Sequence, residues 1–391
     1  MGQVDAIVAG AGIWGCTVAR VLAEKGRKVL VLEKRPHVGG NVRCETDPET
    51  GIEVHTYGSH IFHTHIDRVW DFVRRFVEFN GYQHKVLARH AGKTYFLPLG
   101  LALVNQFYGL DLKPSELPDF IAAEAGRGTR PCVPANFEEQ AIAFIGKPLY
   151  DAFIREYTRK QWGTDPRNLG ADIIKRLPVR ASYDINYYTD YRQGIPLTGY
   201  NSLFDRMLDH PNISVECGVD WLEWRKSFGT THQAPGTKHQ APGTKHQAPV
   251  FYSGPIDALF GYKFGPLPWR TLRFERECLP LADFQGTSVV NYTDADVPFT
   301  RIHEFKHYHP EDAAVMAAPS TIICCEYPQA WKLGDEPYYP VDTPESRERL
   351  ALYMAEAAKV PGLVVGGRLG EYRYHDMDRS IDRALETALA Y

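Results

Sequence analysis

The strongest constraint on the fold is a glycine-rich turn between two strand-like runs at the start of the chain. The apolar run Val4–Ala9 is followed at once by the turn Gly10–Gly15, which has the spacing GxGxxG. A helical pattern over Thr17–Lys25 and a second strand-like run over Lys28–Leu32 come next, and Glu33 ends the unit. This order of elements predicts the β–turn–α–β start of a Rossmann-type, dinucleotide-binding α/β domain.

Each part of the turn has a mechanical role in binding a dinucleotide. Gly10 allows the tight turn, Gly12 lets backbone N–H groups approach a pyrophosphate, and Gly15 lets the helix pack closely on the strand. The helix N-terminus adds partial positive charge at the same place. Glu33 is expected to accept hydrogen bonds from the ribose hydroxyls.

A second glycine pair indicates which dinucleotide is bound. Gly39 and Gly40 follow Glu33 after a short segment. Such a pair is typical of FAD-binding proteins, because it lets the backbone lie close to the flavin side of the pyrophosphate. The pattern therefore favours FAD over NAD.

The rest of the chain predicts two further units inserted into this domain. The pattern is helical from Leu97 to Asp172, and apolar and polar residues alternate as in antiparallel strands over Ile173–Pro196 and Lys263–Tyr327. Strand-like runs near Val250 and Val364 return the chain to the first domain. The predicted spans are 1–95, 203–260 and 346–391 for a discontinuous FAD-binding domain, 96–172 for a helical bundle, 173–202 and 261–345 for an antiparallel β-sheet domain, and 229–249 for a surface insertion.

The surface insertion is a repeat, GTTHQAP followed twice by GTKHQAP, over Gly229–Pro249. Glycine and proline in every unit exclude a continuous helix. Its three histidines could suggest a metal, but no carboxylate or cysteine accompanies them. The sequence therefore predicts a surface loop without a function, and no metal site.

Composition limits the partners. The chain has 44 basic and 48 acidic residues, a net charge of −4, so an overall basic field for nucleic acid or an anionic membrane is absent. Neither a long apolar run nor a signal peptide is evident. The seven cysteines are scattered without a CxxC motif, which indicates reduced thiols and a cytoplasmic location.

Two side-chain clusters could bind a cofactor or a base. His60 and His63 follow a glycine and could line a cofactor, although packing is the alternative. Tyr157 and Trp162 offer flat faces, and Thr158 offers a hydrogen bond, which would suit a base such as uracil. The alternative is a helix end with core aromatic residues.

Two other clusters could bind an anion and a ring. Arg176 and Arg301 lie between apolar residues, and two converging guanidinium groups would match a diphosphate; exposed ion pairs are the alternative. Tyr339, Tyr374 and Arg368 lie in segments with glycine-rich turns, which could form a floor and a wall around a ring.

These motifs occur in a recognisable order along the chain. YGSHIFHT, EYTRKQWG, IIKRLPVR, NYTDADVPFTRI, GDEPYYPV and GGRLGEYRYHDMD follow the FAD motif. Together they resemble the bacterial UDP-galactopyranose mutase family over nearly the whole chain, apart from the repeat and residues 313–321. The resemblance implies an FAD enzyme with a Rossmann-type domain, a helical bundle carrying a mobile substrate loop near Trp162–Gly170, and an antiparallel sheet domain.

The resemblance also implies roles for individual residues. Arg176 and Arg301 are expected to clamp the UDP diphosphate, and His60 and His63 to lie by the flavin and the sugar, with Arg368 at the flavin. The substrate contacts implied are Phe153, Tyr157, Thr158, Trp162, Arg176, Tyr187, Arg301, Tyr339 and Tyr374. The cofactor contacts implied are Gly10, Gly12, Ile13, Trp14, Gly15, Glu33, Lys34, Gly39, Gly40, Asn41, His60, Ile61, Val219, Arg368, Tyr374, Asp376 and Met377. The chain departs from many members at His375, where they have tyrosine.

The implied reaction interconverts UDP-galactopyranose and UDP-galactofuranose without net redox change, with N5 of the reduced flavin as nucleophile at the anomeric carbon. The product would supply galactofuranose for cell-surface glycans, and a homodimer is expected by resemblance. Two alternatives remain: an FAD oxidoreductase of the amine-oxidase type, and a flavin-binding structural or sensor protein.

Overall fold

The chain begins with a β–α–β unit whose strands are buried on both faces. The computed structural model describes residues 4–126, 133–171, 179–226 and 248–391. Strands β1 (Ala6–Ala9) and β2 (Val29–Glu33) are parallel neighbours, and every residue of both is buried. Helix α1 (Ile13–Glu24) joins them and starts before the predicted Thr17, because Gly12 caps it directly. The predicted Rossmann-type unit is confirmed.

The remaining elements come in runs of strands and runs of helices along the chain. The strands are β3 Cys44–Thr46, β4 Glu53–His55, β5 Phe62–Thr64, β6 Val86–His90, β7 Lys93–Phe96, β8 Arg192–Gly194, β9 Ile213–Cys217, β10 Val250–Tyr252, β11 Trp269–Leu279, β12 Val289–Tyr292, β13 Arg301–Glu304, β14 Thr321–Ala330, β15 Tyr339–Pro340 and β16 Leu363–Val365. The helices are α2 Asp67–Val73, α3 Leu101–Tyr108, α4 Leu117–Gly126, α5 Phe137–Ile145, α6 Lys147–Leu149, α7 Glu156–Trp162, α8 Gly199–Leu208, α9 Trp221–Lys226, α10 Ile256–Leu259, α11 Ala313–Met316, α12 Pro344–Ala357, α13 Gly367–Gly370 and α14 Met377–Leu389. A π-helical turn, Tyr150–Arg155, precedes α7.

The first sheet has the strand order β16-β10-β1-β2-β9 in the described part of the chain, and its neighbours are parallel. Helices α8 and α14 both pack against α1 and bury its apolar side chains. Because the strands are parallel, the loops after Ala9, Glu33 and Tyr252 leave the sheet at the same edge, where ligands of open α/β sheets bind.

The second sheet has the order β15-β11-β14-β13-β12-β6-β7 within the described ranges. Strands β11 and β14 form a long antiparallel pair in this sheet. Arg270 lies opposite Ala330 at one end of the pair, and Leu279 lies opposite Thr321 at the other. The pairing is antiparallel except between β12 and β6, which are parallel, so the sheet is mixed. The expected division of the chain also differs here: β6, and β7 up to Tyr95, fall in the span 1–95 expected for the first domain but belong to this sheet, because β12 pairs in parallel with β6.

The helical part has its own core. Helices α3 to α7 bury a separate apolar cluster that includes Leu103, Ile145 and Phe153. Helix α5 begins at an Asn136 cap: the Asn136 side chain accepts a hydrogen bond from the Glu139 N–H, while the Glu139 side chain accepts one from the N–H of Ala135 rather than of Asn136, so only half of a capping box forms. Arg176 and residues 229–247 of the heptapeptide repeat lie outside the described residues. Among the described helices, none is both long and apolar enough to cross a membrane.

Candidate active site

One large cavity, of about 480 Å³, opens where the loops of the first sheet meet the second sheet. Side chains and backbone from both sheets line it together. The sequence-predicted residues that line it are Gly10, Gly12, Ile13, Trp14, Glu33, Lys34, Gly39, Gly40, Asn41, His60, Ile61, His63, Val219, Arg301, Tyr339, Arg368, Tyr374, Asp376 and Met377. The structure therefore brings most of the predicted cofactor contacts and part of the predicted substrate contacts into one space.

The glycine turn is shaped by close backbone contacts. A Cβ atom on Gly15 would lie 2.0 Å from the carbonyl oxygen of Gly10, so α1 can cross β1 this closely only with glycine. Gly40 has φ +56°, and a Cβ there would lie 3.0 Å from the Cα of Gly12. The two glycine segments thus form one cradle, which a side chain at either place would fill. A cradle of this kind fits the pyrophosphate of a dinucleotide.

The carboxylate at the end of β2 is held in a fixed orientation. Glu33 accepts a hydrogen bond from the N–H of Ala11 at 2.7 Å and another from the N–H of Arg35 at 2.9 Å. Nearby, the indole Nε1 of Trp14 is buried and has no hydrogen-bond partner among the described residues. A buried donor without a partner beside a glycine cradle fits a polar ligand, because such donors are nearly always paired.

The two predicted histidines have different partners. His60 Nδ1 lies 2.7 Å from the Gly58 carbonyl oxygen, so Nδ1 donates, and burial together with Arg368 lowers the pKa of His60 to about 4. His63 Nδ1 lies 2.7 Å from Asp190 Oδ2, and its ring stacks on Tyr188 with 3.7 Å between centroids. His60 is therefore neutral near pH 7, and Asp190 holds the ring of His63.

Of the two arginines of the predicted clamp, Arg301 lies within the described part of the chain. Its Nε lies 3.5 Å from Glu326 Oε1, and its Nη2 donates to the Tyr157 hydroxyl. Burial alone would lower the pKa of Arg301, but Glu326 and the surrounding tyrosines raise it well above its ordinary value. The guanidinium therefore stays charged at the cavity wall, as a diphosphate would require.

The predicted tyrosines are distributed over two places. Tyr339 and Tyr374 stack with 5.8 Å between ring centroids and line the cavity. Burial raises the pKa of both hydroxyls, so they remain protonated donors. Tyr187 does not line the cavity; its ring is partly exposed and meets the edge of Tyr188. Its role in binding substrate stays a prediction.

The helix predicted to bind the base is attached to the second sheet. On α7, Tyr157 contacts Arg301, while Thr158 is buried and Trp162 packs on the helical core. Phe153, in the π-helical turn, is a core residue in edge contact with Tyr95. The described structure thus places one of these four side chains against the clamp, and base binding by the other three stays a prediction.

Two cations that sequence reasoning missed fasten α7 in place. Lys160 Nζ donates to the carbonyl oxygens of Tyr292, Asp294, Val297 and Phe299 at 2.7–3.1 Å. The second cation is Arg270 on β11. Its side chain donates to the Gln161 carbonyl oxygen at 3.0 Å and to the Lys160 carbonyl oxygen at 3.4 Å.

The Lys160 contacts tie α7 to the loop that leads into β13, and the Arg270 contacts tie it to β11. Nothing in the sequence indicated these contacts, because charged side chains such as lysine and arginine are ordinarily exposed to solvent.

Other residues at the cavity were also missed from sequence. Ser59 and Glu326 line the cavity, Asp190 contacts His63, and His303 lies behind them, hydrogen-bonded to Ser59 and Glu326. Glu326 lies directly opposite Arg301 across β13 and β14. An arginine that is expected to stay charged inside a protein needs a carboxylate nearby, so a partner for Arg301 could have been predicted. The sequence does not indicate which strand carries that carboxylate.

Two groups of acidic, histidine and cysteine side chains lie within metal-ligating distance of one another in the described ranges. They are Cys44, Glu53 and His55, and Asp283, Glu304 and His307. His55 Nδ1 accepts the N–H of His60 at 3.0 Å, so the neutral ring carries its proton on Nε2, where a metal ligand needs a lone pair. The expected absence of a metal site stays a prediction.

Comparison with protein families supports the interpretation of this cavity. Residues 152–374, more than half of the chain, match the family model described as UDP-galactopyranose mutase. Residues 8–76 match the model of an NAD(P)-binding Rossmann-like domain. The family expected from the motifs is thereby confirmed, and so is the dinucleotide-binding class of the first domain.

Individual relatives cover almost the whole chain. A probable UDP-galactopyranose mutase of Klebsiella pneumoniae is 40% identical over 99% of this chain and 94% of its own length. A dTDP-fucopyranose mutase of Escherichia coli is 39% identical over 98% of this chain and 97% of its own. A crystal structure of reduced UDP-galactopyranose mutase superposes with a TM-score of 0.72 at 16% identity, covering 99% of this chain and 95% of that one, which confirms the fold.

Proposed function

This chain belongs to the UDP-galactopyranose mutase family, and we propose that it interconverts UDP-galactopyranose and UDP-galactofuranose with bound FAD. The observation that carries the proposal is that one cavity is lined by the glycine cradle, Arg301 and the Tyr339–Tyr374 stack. A dinucleotide and a nucleoside diphosphate sugar can therefore meet in a single space. The product would supply galactofuranose for cell-surface glycans.

The cofactor is held by backbone more than by charge. The Gly12–Gly40 cradle and the N-terminus of α1 would hold the pyrophosphate, and Glu33 the adenosine ribose. When bound and reduced, FAD supplies a nucleophilic nitrogen, N5, for the anomeric carbon, so that no net redox change accompanies the change of ring size. We place Arg368 and the neutral His60 at its ring.

The side chains on the other wall hold the substrate. Arg301, with Arg176 as its predicted partner, would neutralise the diphosphate as charge develops on it. The protonated hydroxyls of Tyr339 and Tyr374 would donate to phosphate oxygens. Positioning and the exclusion of water are the protein's share of the catalysis.

Two sugar nucleotides are candidate substrates, because a relative of nearly equal similarity is named as a dTDP-fucopyranose mutase. A diphosphate clamp serves either nucleotide. We propose UDP-galactopyranose as the substrate because the family model and the Klebsiella relative carry that name. The dTDP sugar is the second candidate.

The test is turnover by the protein carrying FAD, before and after reduction with dithionite. Incubation with UDP-galactopyranose should give a second UDP-sugar peak by chromatography, with many turnovers per reduction and almost none from oxidised protein. dTDP-fucopyranose should be converted far more slowly. One reductant consumed per product, or oxygen consumption with an amine, would contradict the mutase proposal and favour the oxidoreductase.

A further inference from the structure

A buried histidine–glutamate pair stands beside the cavity and has no assigned role in the proposed reaction. His303 and Glu326 are 1% and 2% exposed. They lie on neighbouring strands, β13 and β14, where Glu326 is directly opposite Arg301. Because side chains alternate along a strand, Arg301 and His303 point to the same face as Glu326.

The hydrogen bonds of this pair run in one direction. The Tyr308 hydroxyl donates to Ser59 Oγ, Ser59 Oγ lies 2.7 Å from His303 Nδ1, and His303 Nε2 lies 3.1 Å from Glu326 Oε2. Since Ser59 accepts from Tyr308, its own proton goes to Nδ1. The ring of His303 then carries its proton on Nε2 and donates it to the carboxylate.

The charge states agree with this direction. Burial alone would raise the pKa of Glu326, but Arg301 and the hydrogen bond from His303 hold it below its ordinary value. Burial lowers the pKa of His303. Near pH 7 a neutral histidine therefore donates to an ionised carboxylate. The other titratable or charged groups that face the pair are Arg301, His55, His60, His84, Cys324, Tyr157, Tyr308 and Tyr339.

The second carboxylate oxygen has no hydrogen-bond partner. Glu326 Oε1 is buried and lacks one among the described residues, and the nearest cation atom, Arg301 Nε at 3.5 Å, lacks one as well. Glu326 also lines the cavity. Buried acceptors are nearly always paired, and at the wall of a ligand-sized cavity a donor group of the ligand can supply the missing partner.

We propose that His303 is a positioning residue, which holds Glu326 as a carboxylate with Oε1 free to accept a hydrogen bond from a hydroxyl group of the bound hexose. Ser59 takes part by fixing the ring tautomer of His303. The identity of the ligand rests on the proposed mutase function. The arrangement of His303, Ser59 and Glu326 is independent of it.

Three variants test the role in the FAD-loaded, reduced enzyme. His303→Leu removes the donor, while His303→Gln retains an N–H close to the place of Nε2. His307→Leu is the matched control, because His307 lies 3.5 Å from another buried glutamate, Glu304, which does not line the cavity.

We expect kcat of His303→Leu to fall about tenfold. The acid limb of its pH profile should move up by about one pH unit. Both effects correspond to the loss of one hydrogen bond to a charged group. His303→Gln should restore most of both, and His307→Leu should match the parent. FAD content and the Kd for UDP should stay unchanged in all three. A parental pH profile in His303→Leu, or no rescue by glutamine, would overturn the assignment.

A second measurement does not depend on turnover. In ¹⁵N-histidine-labelled protein, the signals lost in His303→Gln should be those of a neutral ring protonated on Nε2 at pH 7. Protonation on Nδ1 or on both nitrogens would refute the proposal. Should the leucine variant fail to fold, Ser59→Ala replaces it, with the same downward change in kcat expected. A parent that binds FAD but converts no sugar nucleotide would contradict the proposed function, and the tautomer would still decide this inference.

Discussion

Replacing Lys160 by methionine should loosen the helix that we expect to bind the base. Methionine keeps the apolar stem of Lys160 and removes the ammonium group, which now faces four carbonyl oxygens at 2.7–3.1 Å. An ammonium has three protons, so at most three of these bonds form at once. A hydrogen bond to a charged group contributes about 1.5–3 kcal/mol, and water can reach part of this half-buried site. We therefore expect Lys160→Met to lower the free energy of unfolding by about 2–4 kcal/mol.

The effect on ligands should be selective. Lys160 joins α7 to the loop that ends at Arg301, and both carry predicted UDP contacts. Loss of the Lys160 hydrogen bonds should weaken UDP binding at least about tenfold, because a small displacement of the groups that position a ligand lowers its affinity strongly. FAD content should stay normal, since the cofactor contacts that we expect lie outside α7 and the loop before β13.

Urea unfolding and UDP titration by calorimetry measure the two effects, and Arg159→Met is the control. Arg159 is the neighbour on the same helix, and its side chain is 54% exposed in an ion pair with Glu156. Such a pair contributes at most about 0.5 kcal/mol. Equal stability and equal UDP affinity in the two variants would refute the argument that Lys160 fastens α7.

Other expectations follow from single features of the chain. Arg301→Ala, and Arg176→Ala by the sequence resemblance, should each lower kcat/KM by a factor equivalent to about 2–4 kcal/mol while the FAD absorbance stays normal; near-parental kinetics in either would remove that arginine from the clamp. His60 stays neutral in the folded protein down to a pKa of about 4, whereas the unfolded chain takes up that proton near 6.5. The free energy of unfolding should therefore fall as pH is lowered from 6.5 to about 4, and a flat series of urea curves would contradict this. Deleting Gly229–Pro235 and Gly236–Pro242, two of the three repeats, should leave turnover and FAD content nearly unchanged, because halving a loop changes its closure free energy by about 0.6 kcal/mol; a large loss of either would show that the repeat has a function.

The first domain could be predicted because its signals are local. The turn Gly10–Gly15, the helix after it and Glu33 lie within one short stretch, and each residue type has a backbone reason to be there. The cap that Asn136 forms at the start of α5 depends on equally local contacts. Where structure depends on neighbours in sequence, the pattern alone was sufficient.

Long-range pairing was beyond the sequence. The strand Val86–His90 reads as a continuation of the first domain, yet it pairs in parallel with Val289–Tyr292, some two hundred positions later along the chain. Nothing in an alternating run states its partner, because any strand with a buried face satisfies the same pattern. The same limit hid Glu326, whose position opposite Arg301 is set by strand register.

The contacts around Arg301 suggest where affinity and selectivity are separated. Arg301 touches Tyr157 of α7 and Glu326 of β14, and α7 is fastened in turn by Lys160 and Arg270. A diphosphate is common to all nucleoside diphosphate sugars, so the arginine can provide affinity but no choice between them. Discrimination requires contacts with the parts that differ, and a buried polar group left unpaired by the wrong ligand is the strongest such device. In this cavity Oε1 of Glu326, which lacks a hydrogen-bond partner among the described residues, meets that description, and we expect it to face the sugar. We therefore expect the choice of sugar to depend on the groups that hold Glu326 in place, and the choice of base on those that hold α7.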